Sequence, residues 1–159
     1  MHAEPQREHR WLDKLIGEWT SEMEFRMGPD QPLMTARGSE VVRSLGGLWV
    51  VAEGQGEMPG GGTSNTIMSL GYDPRIQRYV GTFIASMMTH LWIYNGALDT
   101  AEKVLTLDTE GLDFSGQKLA KYQDIIEFVD DDHRVLSSRV LGDDGNWNHF
   151  MTAHYRRSK

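Results

Sequence analysis

The chain has 159 residues, 39% hydrophobic and 25% charged, with a formal net charge of -7 and no cysteine. Those figures suit one soluble domain around one core, and no stretch approaches the roughly 20 apolar residues that cross a bilayer. They exclude disulfides, thiolate metal ligands and cysteine nucleophiles, and the scattered basic residues offer no footprint for nucleic acid or an anionic membrane. Residues Met1 to Arg10 lack the apolar core of a secretory signal, so the cytoplasm is the expected compartment. A single domain over residues 1–159 is expected, with residues 1–6 as a flexible tail.

In chain order, the first element is a short helix whose apolar face is Trp11, Leu12, Leu15 and Ile16, ended by Gly17. From Trp19 onward the pattern changes to short β-rich runs bounded by Gly, Pro, Asn or Asp. The predicted strands are Trp19 to Met27, Met34 to Leu45, Leu48 to Gly56, Thr66 to Tyr72, Gln77 to Ala85, Thr89 to Tyr94, Ala97 to Leu107, Leu119 to Phe128, Arg134 to Leu141 and Trp147 to Arg156. Asn95-Gly96 reads as a hairpin turn, since both turn positions need positive φ. Tyr72 to Arg75, Asp130 to Asp132 and Asp143 to Asn146 read as further tight turns, and Gln55 to Ser64 as a glycine-rich loop at a barrel mouth. Parallel pairing needs crossovers of a dozen or more residues, and these connections are too short for that. The expectation is therefore an all-β fold, an antiparallel up-and-down β-barrel of about ten strands, with a two-sheet sandwich as the competing arrangement.

Gly17-Glu18-Trp19, between the helix and the first strand, resembles the Gly-x-Trp signature of calycins, the lipocalin-like barrels. That resemblance implies a Trp19 packed across the barrel floor under Arg156 or Arg157. Leu70 to Pro74, Tyr79 to Thr82, Ser86-Met87, Tyr94 to Asp99, Leu105 to Leu107, Asp144-Gly145 and the closing Tyr155-Arg156-Arg157 are together similar to the bacterial family DUF1579. The resemblance implies a lipocalin-like barrel and no particular reaction or ligand. Where that pattern has an acidic residue ahead of the Ser-Met pair, this chain has Ala85.

In a barrel alternate residues face inward, so polar side chains that share the parity of an apolar face are the candidates for chemistry. Trp19, Met23, Phe25 and Met27 define such a face on the first strand. On the eighth, Lys121, Gln123 and Glu127 suit water, which turns Tyr122, Asp124, Ile126 and Phe128 inward. The same reasoning puts Glu53 inside with Trp49 and Val51, His90 with Trp92 and Tyr94, and His149 with Trp147 and Met151. Met23, Trp49, Met68, Trp92 and Met151 are the expected apolar lining, because thioethers and flat aromatics adapt to irregular ligands. The expected ligand is a small hydrophobic or aromatic molecule, with Glu53, His90, Asp124 and His149 orienting its polar end. An enzyme using those groups for acid/base chemistry, or a homodimeric scaffold without a ligand, are the alternatives; symmetric dimers are the commonest assemblies. No metal-binding spacing is present, the cofactor is unknown, and an axial haem ligand, if one exists, falls to His90 or His149.

Overall fold

A computed structural model describes residues 2–158. After a helix α1 (Arg7–Leu12) and a single 3-10 turn (Asp13–Leu15) come ten strands. They are β1 (Gly17–Phe25), β2 (Met34–Leu45), β3 (Trp49–Glu57), β4 (Thr63–Asp73), β5 (Arg78–Ala85), β6 (Trp92–Leu98), β7 (Val104–Leu112), β8 (Leu119–Asp130), β9 (His133–Leu141) and β10 (Trp147–Arg157). Every strand pairs antiparallel with its sequence neighbours, and β1 pairs with β10 to close the barrel, with Trp19 opposite Arg157. The closed barrel is the expected fold, and the sandwich is not formed.

One turn lies elsewhere than expected. Asn95 and Gly96 sit inside β6, opposite Asp108 and Leu107. Gly96 is there because the next strand approaches too closely for a side chain: a Cβ would fall 2.5 Å from the Thr106 carbonyl oxygen. The actual turn follows at Asp99 to Lys103, where Glu102 takes φ 58° and the Asp99 carboxylate accepts from the Lys103 and Val104 amides. Those local hydrogen bonds supply what an Asn-Gly pair supplies elsewhere. Met27 lies beyond the end of β1 and is exposed, so it is not part of the inner face.

The N-terminal segment closes one end of the barrel. Trp11, Leu12 and Leu15 are buried with Tyr79 and Phe128, and the Trp11 ring stands edge-on to Phe128 at 5.6 Å. Three hydrogen bonds fasten this plug to strands distant in sequence: Trp11 Nε1 to the Glu102 carbonyl (2.7 Å), Tyr79 Oη to the Glu8 carbonyl (3.1 Å), and His9 Nε2 to the Tyr72 carbonyl (2.9 Å). His9 Nδ1 accepts from the Gln6 amide, which leaves Nε2 as the ring nitrogen that faces the Tyr72 carbonyl. Pro5 and Gln6, expected in a tail, are engaged: the Pro5 carbonyl accepts from Arg10, and the Gln6 carbonyl from the Arg10 amide.

Candidate functional site

Above the plug the inward positions divide into two zones. Nearest the floor Trp19, Leu70, Tyr79, Tyr94, Leu105, Leu107 and Ile126 are buried. Toward the other end Ser21, Met23, Phe25, Ala36, Met68, Phe83, Leu136 and Met151, all on the inner face, are only half-buried. A closed barrel has no edge through which an inward side chain meets water, so these residues are exposed toward the barrel interior and its open end.

The side chains themselves explain that exposure. Along β1 to β4 the inward residues include Ser21, Ala36, Gly38, Ala52, Gly54, Gly56, Ser64 and Thr66, and three of these have no side chain at all. Gly38 is held there by strand curvature, since a Cβ would lie 2.5 Å from the Gln55 carbonyl oxygen. The opposite wall, from β6, β8 and β10, presents Trp92, Tyr94, Tyr122, Phe150 and Met151. A chain of edge-on rings collars the open end, running Phe114 to Phe150 (5.1 Å), Phe150 to Tyr122 (5.9 Å), Tyr122 to Trp92 (5.1 Å) and Trp92 to His90 (4.6 Å). Outside that collar a rim hollow of about 740 Å³ lies between Arg26, Phe114, Lys118, Trp147 and Phe150.

Two polar clusters stand on the inner face. In the first, Arg134 on β9 is ion-paired with Glu40 on β2; Arg134 is buried and Glu40 partly so. The Arg134 guanidinium packs 4.0 Å from the centroid of the Tyr155 ring and 4.7 Å from that of Trp19, while its Nε finds no acceptor among the described residues. Burial, the Glu40 charge and the Asp124 charge together push the Tyr155 phenol up. In the second cluster Asp124 receives two hydroxyl donors, Ser138 Oγ at 2.6 Å on Oδ1 and Tyr94 Oη on Oδ2. Burial raises the Asp124 carboxyl above its ordinary range, and the two donors pull it part of the way back. The Tyr94 phenol is pushed well up by burial and by the adjacent carboxyl.

The expected site residues are therefore not assembled as a group. Asp124, Met23, Met68, Trp92 and Met151 face inward. Trp92 lies flat over Gly111, where a Cβ would fall 2.3 Å from the indole. Glu53 and Trp49 face outward, because the buried parity of β3 belongs to Val50 and Ala52. Trp49 misleads by covering Gly71 on the outer surface, and Glu53 pairs there with Arg43 at 3.5 Å. His149 also faces out, bonded to Thr152 Oγ1 at 2.6 Å: a bulge between His149 and Met151 shifts the register with β9, so only Met151 turns in. His90 precedes β6 and is exposed at the rim, its Nε2 2.8 Å from the Glu110 carbonyl oxygen.

Glu40, Arg134, Ser138 and Tyr155 are absent from the expected set. The signal that finds Asp124 finds them too, since Glu40 shares parity with Val42, and Arg134 with Leu136, Ser138 and Val140. The Trp19 expectation resolves to Arg157, whose guanidinium lies 4.2 Å from the indole centroid and donates to the Ile16, Lys14 and Asp131 carbonyls. Among the described residues no group of three or more His, Asp or Glu side chains is placed to hold a metal ion, and no helix is long and apolar enough to cross a membrane.

The model of a family described as protein of unknown function (DUF1579) matches residues 4–157. Among solved structures, Rv2717c from M. tuberculosis is similar over 98% of this chain and 100% of its own, at 12% identity and a TM-score of 0.65. The S-type phycobiliprotein lyase CPES from Guillardia theta covers 98% and 99%, at 13% identity and a TM-score of 0.61. EF1p2_mFAP2b bound to DFHBI covers 95% and 99%, at 14% identity and a TM-score of 0.51. At these identities the likeness is one of fold. No curated protein matches the chain in sequence.

Proposed function

The chain belongs to the DUF1579 family, and from that premise we propose that it is a small-molecule-binding barrel, a cytoplasmic carrier or sensor that holds an apolar or aromatic ligand in its lumen. The observation that carries this reading is the half-buried inner face above a sealed floor. A barrel whose interior were only a core would cover Met23, Met68, Phe83 and Met151 as completely as it covers Leu105 and Leu107. Methionines with a phenylalanine make an apolar wall that adapts to shape, and the small residues of β1 to β4 leave it room. Of the solved barrels that share this fold, EF1p2_mFAP2b is bound to a ligand, DFHBI. The acid/base alternative has less to stand on, because His90 and His149 lie at the rim and on the outer wall, away from Asp124.

The test is native mass spectrometry of protein purified from its own host, followed by release and identification of whatever is bound. Fluorescence titration with a panel of apolar dyes accompanies it, on the wild type and on Ala36→Phe. Ala36 is inward, half-buried and near the open end, so a phenyl group there occupies the lumen. A stoichiometric ligand, or dye binding that Ala36→Phe abolishes while the fold persists, supports the reading. An empty protein indifferent to the panel overturns it.

A further inference from the structure

Of the inward side chains on the ten strands, the Asp, Glu, Lys, Arg and His members are Glu40, Arg134 and Asp124, with Arg157 at the floor end of β10. Glu40 and Arg134 neutralise each other, and Arg134 is further held by the Tyr155 and Trp19 rings. Among the described residues no cation pairs with Asp124. The remaining strand lysines and arginines, among them Arg37, Arg43, Lys121, Arg139 and Arg156, occupy outward parity, and Arg157 is engaged beneath the floor. Resting on the reading of the lumen as a binding site, we propose that its ligand carries a cationic or strongly N–H-donating end, an ammonium or amidinium on an apolar body, which pairs with Asp124.

Three features point the same way. Each carboxyl oxygen of Asp124 accepts one hydroxyl, and a carboxylate oxygen has capacity for a second donor. Asp124 is deeply placed yet keeps some exposed surface, and for an inward residue of a closed barrel that surface faces the lumen. One inward position along β7 from Leu107, the register partner of Asp124, the Thr109 hydroxyl is buried with no hydrogen-bond partner among the described residues. Buried polar atoms in folded proteins are nearly always satisfied, so an orphan here marks an incomplete polar complement next to Asp124. An anionic ligand fares worse: the cation it would seek, Arg134, is already closed in by Glu40 and two rings, and its approach brings it against Asp124.

The test is calorimetric titration at neutral pH with three probes of one shape, naphthylmethylamine, naphthylmethanol and naphthoate, on wild type, Asp124→Asn and Asp124→Glu. In the wild type the amine binds about tenfold more tightly than the alcohol, as expected for a charge-assisted hydrogen bond, and naphthoate binds most weakly. Asp124→Asn removes the advantage of the amine and Asp124→Glu retains it. If Asp124→Asn does not fold, Asp124→Ser replaces it, and the wild-type ranking already discriminates among the three charges. Tightest binding by naphthoate, equal binding by all three, or an amine advantage that survives Asp124→Asn overturns the cationic assignment and leaves the lumen reading standing. Binding by none of the three overturns both.

Discussion

Asp124 and Ser138 face each other across the β8–β9 ladder, and the serine hydroxyl donates to the carboxyl at 2.6 Å. With Tyr94 on the other oxygen, the carboxyl is hydrogen-bonded but not charge-neutralised, and burial holds its proton affinity above the ordinary range. The unfolded chain has Asp124 at about 3.9, so the native state binds the proton more tightly than the unfolded state does. The stabilising contribution of the residue is then greatest in acid, and it is lost as pH rises through the native value. Urea denaturation across the acid range tests this. The stability of the wild type minus that of Asp124→Asn falls as pH rises from about 4 and then levels off. A difference that instead grows with pH refutes the sign.

Arg134 is buried against its partly buried partner Glu40, and removing the glutamate leaves the guanidinium as an uncompensated charge. Glu40→Gln is expected to cost about 3–5 kcal/mol, because burial of a lone guanidinium is the dominant loss. Joining it to Arg134→Met removes the charge and keeps an unbranched chain between the Trp19 and Tyr155 rings, so the double variant recovers most of that stability. Chemical denaturation of the two singles and the double completes the cycle.

Arg156 and Arg157 are neighbours with opposite fates, one outward and exposed, the other against Trp19 with three carbonyls to donate to. Arg157→Ala is expected to destabilise by about 2–3 kcal/mol through lost charge-assisted hydrogen bonds, and Arg156→Ala by no more than about 0.5 kcal/mol. Thermal unfolding of the two variants side by side checks the contrast.

Trp92 rests where Gly111 has no side chain. Gly111→Ala displaces the indole from its edge contacts with His90 and Tyr122, at a cost of about 1–3 kcal/mol for the overpacked site. The near-ultraviolet circular dichroism band of the coupled aromatics weakens. Ligand access through the collar changes with it, measured as a shift in dye on-rate in stopped flow.

Much of the barrel is legible in the sequence because its turns are short and polar and its strands alternate. The parity of β8 is readable since Lys121, Gln123 and Glu127 mark one face without ambiguity. On β3 both faces are apolar, Val50 and Ala52 inside and Trp49 and Val51 outside, so alternation carries no sign; what decides it is a glycine on the next strand that an outer tryptophan covers. On β10 the decisive event is a bulge, a backbone feature without a side-chain signature. Glu40 and Arg134 carry the inward parity, but their charge argues against it. Charge is ordinarily read as solvent exposure, and only pairing with a residue 94 positions away, seated on two aromatic rings, makes their burial tolerable.

Closure of the barrel by β1 against β10 has a consequence for how the chain reaches this state. β1 emerges first during synthesis and its second partner strand last, so a growing chain exposes the unpaired edge of β1 until residues 147–157 have appeared. Contacts of that sequence separation are late and slow to form, and an open strand edge is a template for pairing with another chain. Three glutamates on the outer face of β1, Glu18, Glu22 and Glu24, sit along that waiting edge. Like charges brought together disfavour pairing with a second nascent copy, so the side chains that face water in the finished barrel also guard the strand before its partner arrives.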